Sequence, residues 1–187
     1  MTDAPTCSEI LANWISRLSL EDVPNNVRAA TENTVIDTVG LTVAALETDY
    51  GRSIRDAVGE PGECTIWGLP KGASMTAASV INGTCGHGED YDNTYEGCPV
   101  HSGVVIVPAL FAVGEAEQLP AERVALGMAV GIEMMCRLGA VAKKSVHTQG
   151  FHPTSVLGTV AAALGVGVAR SYNAEQLMDS MGVAGSM

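Results

Sequence analysis

Apolar residues recur with helical spacing along nearly the whole chain, and a polar stretch interrupts them near its middle. Thr6-x-x-Glu9 has the residues of a reciprocal helix cap, in which each side chain closes on the other residue's backbone N–H. Ile10, Leu11, Trp14, Ile15 and Leu18 follow on one helical face. Asp22-Val-Pro24 opens a second, longer helix, with Val27, Ala30, Val35, Val39 and Val43 on its apolar side as far as Leu46. A third is predicted over 53–58. Gly59, Pro61 and Gly62 then break the pattern, and 64–67 reads as a short extended piece. Small-residue helices are predicted over 73–83, 104–118, 121–138 and 153–169, with Pro120 opening the third of these. Asn173-x-x-Gln176 caps a last helix through Met181. The expected fold class is all-α, a multi-helix bundle. No repeat, low-complexity segment or linker is visible, so 1–187 reads as a single all-helical domain.

The interruption is NGTCGHGEDYDNTYEGCPVHSG, residues 82–103, set between ASMTAASVI and VVIVPALFAV. Polar groups between buried helices are solvated, paired or functional. Two of the four histidines, His87 and His101, lie here with Glu89, Asp90, Asp92 and Thr94. In a helical turn over 87–95, His87, Asp90 and Thr94 share a face, whereas Asp92 and Tyr95 point elsewhere. Gly86, Gly88, Gly97 and Pro99 make that register irregular. His101 follows a Gly-Cys-Pro turn and is placed to fold back towards Asp90. A second polar group reads His147-Thr-Gln-Gly-Phe-His152-Pro-Thr-Ser155. His152 precedes Pro153 and is biased towards extended backbone. Thr154 and Ser155 bring hydroxyls and free amides to a helix N-terminus, a place that favours carboxylate or phosphate oxygens.

Composition narrows the chemistry. A chain of 187 residues can bury a real core, and with aromatics at 4% the aliphatic residues and Met must fill it. No run reaches the roughly 18–20 uninterrupted apolar residues of a bilayer span, the longest being the Gly-broken 155–169. The N-terminus lacks the basic and apolar regions of a secretory signal. Five cysteines, at 7, 64, 85, 98 and 136, form no CxxC pair, which argues against a disulfide framework or a structural zinc site. A cytoplasmic protein is expected. Cys98, beside the polar stretch, reads as a packing residue rather than a nucleophile. The net charge of −11 disfavours nucleic acid and anionic membrane as partners. An anionic substrate then needs a local cationic pocket, for which Arg137, Lys143, Lys144 and the histidines are the candidates.

Plainer readings stand beside these. Asp92-Asn93-Thr94 has the residues of a helix cap. His101 reads equally as a hydrogen-bonded core histidine, and His152 as part of a Gly-Phe-His-Pro turn. His87, Asp90, Asp92 and His101 are metal-ligand types, but their spacing matches no tight template. Gly165-Val-Gly167 is no dinucleotide fingerprint, because no strand precedes it and Arg170 stands in the third glycine's place.

The polar stretch and the VVIVPALFAVGE after it resemble the signature of the MmgE/PrpD family. That signature reads as Asn-Gly, a His, an acidic run with an aromatic residue and a closing Thr, then a His before a Pro-Ala helix. Gly150-Phe-His152-Pro-Thr154 resembles the family's second signature, and VPNNVRAATENTVIDTVGLTVAAL resembles its Pro-started second helix. The family includes 2-methylcitrate dehydratases, cis-aconitate decarboxylases and iminodisuccinate epimerases. The resemblance implies a large all-α domain and a smaller α/β lid domain, usually in a homodimer. This chain would be the N-terminal part of the helical domain, with the lid absent. Its ending, GVAGSM inside an apolar small-residue stretch, fits a C-terminal truncation.

Position by position, the resemblance implies Asp90, His101 and His152 as catalytic residues and His87, Thr94, Thr154 and Ser155 as substrate-binding ones. Asn93 stands where a second Asp is common, and Ser102 where Pro usually follows the histidine, which marks a divergent member. The implied function is a cofactor-free acid–base lyase or isomerase acting on a small di- or tricarboxylate. This residue set requires neither a metal nor an organic cofactor, and its motifs are common to dehydratases, decarboxylases and epimerases. The alternatives are a catalytically inactive helical fragment that only dimerises, and a divalent-metal-binding protein.

Overall fold

Side chains of Thr6, Thr48, Ser74 and Asn173 close on nearby backbone N–H groups and start four of the nine α-helices among the described residues. The computed structural model describes residues 4–187. Helix α1 (Cys7–Ile15) begins on the Thr6/Glu9 cap, with Glu9 N–H donating to Thr6 Oγ1 at 3.2 Å and Thr6 N–H to Glu9 Oε2 at 2.6 Å. Its buried residues are Ala12 and Ile15. Ile10 and Trp14, expected on the inner face, are more than half exposed, because this short helix leans on its neighbours along a narrower stripe than the apolar spacing suggests.

A 3-10 turn, Leu20–Asp22, leads to α2 (Asn25–Ala45). Val27, Val35 and Val39 of the expected row are half-buried against the main core, whereas Ala30 and Val43 face outward. The buried residues of α2 are instead Thr31, Thr38, Thr42 and Ala45. Each of these threonine hydroxyls donates to the carbonyl one turn back, at 2.8–3.0 Å, so none enters the interior unpaired. Thr42 also donates to the carbonyl of Asn82 at 2.9 Å. Its small volume lets α4 lie close, since a Cβ on Gly86 would sit 3.2 Å from Thr42 Oγ1.

Helix α3 (Asp49–Val58) is capped by Thr48 and leads to the strand β1 (Pro61–Cys64), which pairs by isolated antiparallel bridges with Ala73. The extended piece thus lies at 61–64, not at 64–67. The later residues are held differently, by one buried side chain: Asn82 Oδ1 accepts from Trp67 N–H at 3.2 Å and Asn82 Nδ2 donates to Thr65 O at 2.9 Å.

Then come α4 (Met75–His87), α5 (Gly103–Ala116), α6 (Ala121–Ala142), the short α7 (Ser145–Thr148), α8 (Pro153–Ala169) and α9 (Ala174–Ala184). Helix α8 has the expected bounds, and α9 starts on the Asn173/Gln176 cap. No sequence signal anticipated α7. With nine helices and one four-residue strand among the described residues, the fold is all-α.

The main core gathers Ile106, Val107 and Leu110 of α5, Leu126 and Met135 of α6, Leu164 of α8 and Leu177 of α9. A smaller one lies under α2 and α4, around Leu46, Ile66, Ala78, Ile81 and Cys85. Helix α6 is long and apolar enough to cross a membrane by length and composition, but its buried face is the centre of this core. Its contact with α8 is backbone to backbone: a Cβ on Gly127 would meet Gly165 O at 2.5 Å, and one on Gly165 would meet Gly127 O at 2.7 Å. Alanine in place of mid-helix glycine normally gains up to about 1 kcal/mol. A clash with a carbonyl on a rigid helix outweighs that. Gly127→Ala and Gly165→Ala should each lower stability by about 1–3 kcal/mol, read as a lower urea midpoint with an unchanged slope.

Candidate active site

Helix α4 stops at His87, and residues 88–102 form an irregular loop that returns to α5. The glycine after His87 permits this exit. A Cβ on Gly88 would lie 2.1 Å from the Tyr50 ring, which covers the loop and donates from its hydroxyl to Glu89 Oε1 at 3.1 Å. Asp90 then takes a left-handed conformation, φ 52°, which Asp tolerates better than most residues. Asn93 pins the far side, its N–H donating to Asp37 Oδ2 at 3.2 Å and its Oδ1 accepting from Gly103 N–H at 3.3 Å. An antiparallel bridge between Tyr95 and Val100 closes the turn and brings His101 back beneath the acidic residues. Cys98 anchors that turn, donating to Lys143 O at 2.9 Å, and burial pushes its thiol up. It is a packing residue, as its sequence context suggested.

The expected helical register over 87–95 is absent, and with it the expected facing of the carboxylates is reversed. Asp92 points inward and its side chain has no exposed surface, whereas the side chain of Asp90 is 81% exposed. Asp92 Oδ1 accepts from His87 Nδ1 at 3.0 Å, and Asp92 Oδ2 lies 3.2 Å from His101 Nδ1. That second approach is off the line of a hydrogen bond, so Oδ2 has no hydrogen-bond partner among the described residues. Asp90 stays at the rim, with Oδ1 3.4 Å from His101 Nε2, so His101 does fold back towards it. Thr94 Oγ1 donates to the carbonyl of Asp92 at 3.2 Å and lies 3.3 Å from His101 Nδ1.

His152 arrives from the other polar group, 65 positions from His87. It precedes Pro153 and is extended, φ −83° and ψ 113°, as the proline requires. Its Nε2 lies 3.1 Å from His87 Nε2, with the two rings nearly parallel, 11° apart. The ring of His101 is 4.8 Å from that of His87, centre to centre. The three imidazoles therefore meet over Asp92. Thr154 takes a different place from the one foreseen. Its hydroxyl is buried and accepts from the backbone N–H of His101 at 3.1 Å. Ser155 is exposed and its amide is engaged with His152 O, so it offers no free N–H.

Among the described residues, no hydrogen bond or ion pair links Arg137, Lys143 or Lys144 to this cluster. Arg137 pairs with Glu133 on the surface. Among the described residues, the groups at this cluster that can carry positive charge are its imidazoles. The hydrogen bond to Asp92 raises the pKa of His87 above the usual histidine value, against the opposing effect of burial. Burial lowers that of His152, and the neighbouring His87 and His101 lower it further. The two shifts run in opposite directions, so His87 holds a proton more readily than His152 across their Nε2–Nε2 contact. Neighbouring groups of different proton affinity are suited to acid–base transfer.

An all-helical domain carrying a histidine–carboxylate cluster is the class this fold and site define. Residues 9–187 match the MmgE/PrpD N-terminal domain, and the chain belongs to that family. It is 25% identical over 183 residues to a cis-aconitate decarboxylase of Aspergillus terreus, covering 93% of this chain and 37% of the relative. It is 27% identical over 165 residues to the cis-aconitate decarboxylase of Mus musculus, covering 83% and 34%. It is also 24% identical over 185 residues to the cis-aconitate decarboxylase-like protein oryM of Aspergillus oryzae, covering 93% and 38%. The chain thus spans little more than a third of the length of these curated relatives.

Asp92 is the residue that helical periodicity missed. The signal for it was the same glycine and proline content that made the register irregular: in extended backbone, His87 and Asp92 no longer diverge. The pKa directions are measurable. In an NMR titration His87 should lose its proton above the ordinary imidazole range, near pH 6.5, and His152 below it. The stabilisation from His87 is complete below about pH 6.5 and disappears as pH rises through its elevated folded value. Asp92→Asn should bring the His87 transition down. An unchanged His87 titration in that variant would contradict the assignment.

Proposed function

We propose that the cluster serves a lyase of the decarboxylase or dehydratase kind acting on a small di- or tricarboxylate. The convergence of two imidazoles on one buried carboxylate, with a third imidazole against the first, in a chain of this family, carries the reading. The names of the relatives support decarboxylation of a cis-aconitate-like substrate as its finer form.

The roles follow from the environments. His87, charged and held by Asp92, binds a substrate carboxylate and steadies negative charge as it develops. His101 presents its ring beside the same place, oriented by Thr94 and by the backbone bond to Thr154. His152, neutral and exposed on the open side, takes a proton alpha to a carboxylate when the reaction begins with deprotonation. For decarboxylation the C–C bond to the leaving carboxylate breaks, its electron pair stays on carbon, carbon dioxide departs, and an imidazolium supplies the proton that completes the product. Asp90, at the rim, adjusts His101 and the approach of substrate. Thr94 and Thr154 position His101, and Ser155 has no part in this scheme beyond the open face it lines.

The test is product analysis with cis-aconitate and with 2-methylcitrate. His101→Ala and His152→Ala should each lower turnover by about 10²–10⁴-fold while far-UV circular dichroism stays unchanged. Undiminished turnover in both variants would overturn the roles. The alternative reading from the sequence is a helical module that dimerises and is silent by itself. A dimer by sedimentation with no turnover of either substrate would favour it.

A further inference from the structure

We infer that the His87–Asp92–His101 cluster binds a divalent transition-metal cation of the zinc class. His87, Asp90, Asp92 and His101 each offer a ligand atom, and these atoms all lie within 4.8 Å of one another. Bonds of 2.0–2.2 Å at tetrahedral angles put donor atoms about 3.3–3.6 Å apart. The shortest approaches, His87 Nδ1 to Asp92 Oδ1 at 3.0 Å, His101 Nδ1 to Asp92 Oδ2 at 3.2 Å and His101 Nε2 to Asp90 Oδ1 at 3.4 Å, use both ring nitrogens of His101, only one of which can reach a given ion. The set of one atom per residue therefore spans up to 4.8 Å and must contract at its rim around an ion. Asp90 is the member free to close it, because its side chain is exposed.

A second observation points to a cation independently of the donor count. Asp92 is wholly buried, yet its Oδ2 has no hydrogen-bond partner among the described residues and faces into the cluster. A buried carboxylate oxygen without a donor is costly, and a metal ion satisfies it where an ill-aligned N–H does not. Two carboxylates and two neutral imidazoles balance a divalent charge. Nitrogen ligands select zinc over magnesium and calcium, which prefer oxygen alone. His152 Nε2, 3.1 Å from His87 Nε2, stands next to the open side as a further donor. An ion held at His87 Nδ1 and Asp92 would displace the hydrogen bond that raises the proton affinity of His87, and so would oppose the acid–base work proposed above. The binding itself does not depend on the polycarboxylate reading.

Calorimetric titration of the 187-residue protein with zinc chloride alone tests this. One site per chain is expected, and magnesium chloride should give no binding. Asp92→Asn and His87→Gln should each weaken zinc at least tenfold. His147→Ala should leave the affinity unchanged, since His147 lies outside the cluster, and so should Cys7→Ser and Cys136→Ser at the two cysteines that are not buried. If Asp92→Asn fails to fold, His87→Gln and the cobalt(II) spectrum decide. Visible bands of nitrogen and oxygen ligation without a thiolate charge-transfer band support the site. Absence of a stoichiometric site, unchanged affinity in His87→Gln, or a thiolate band would overturn it.

Discussion

One buried carboxylate organises the site. Asp92 has no exposed surface, and an ionised carboxyl group in such a place is tolerated only with partners around it. Those partners are His87 from the end of α4 and His101 from the approach to α5, so the charge on Asp92 ties together two helices that meet the loop from opposite ends. His152 is added through His87, not through the carboxylate, and this arrangement sets the two imidazoles apart in proton affinity, His87 upward and His152 downward. The ion pair does not rest on a hydrophobic shell alone. Asn93, Tyr50 and the Tyr95–Val100 bridge hold the loop against α2, α3 and α5 by directed hydrogen bonds and close packing.

The framework that presents this loop is built from small residues. With few aromatic rings to fill space, the helices approach until backbone meets backbone, as Gly127 and Gly165 do, or until threonines share the inner face with valines, as on α2. Close helices leave little slack. The ends of α4, α5 and α8 are thereby fixed relative to one another, and the functional side chains sit at or just beyond those ends.

Much of the fold was legible in advance. The caps at Thr6 and Asn173 and the proline that opens α8 each carry a local physical signal, and all three mark helix starts. The valine row of α2 gave only part of its inner face, because threonines that bond their own backbone are buried as readily as the valines expected there. The short extended segment shifted because a distant side chain, Asn82, took over the backbone groups of Thr65 and Trp67. In the site, the histidines at 87, 101 and 152 were visible as isolated polar residues in apolar surroundings. The inward turn of Asp92 was not, because it depends on a left-handed residue at Asp90 and on contacts with Asp37 and Gly103 far along the chain.

The Thr154 hydroxyl has a mechanical meaning. It joins the main chain at His101 to the first turn of α8, two residues after His152. Any sliding of α8 along α6 would therefore carry both rings the same way, and the gap between them would survive a shift that moves either one relative to the rest of the protein.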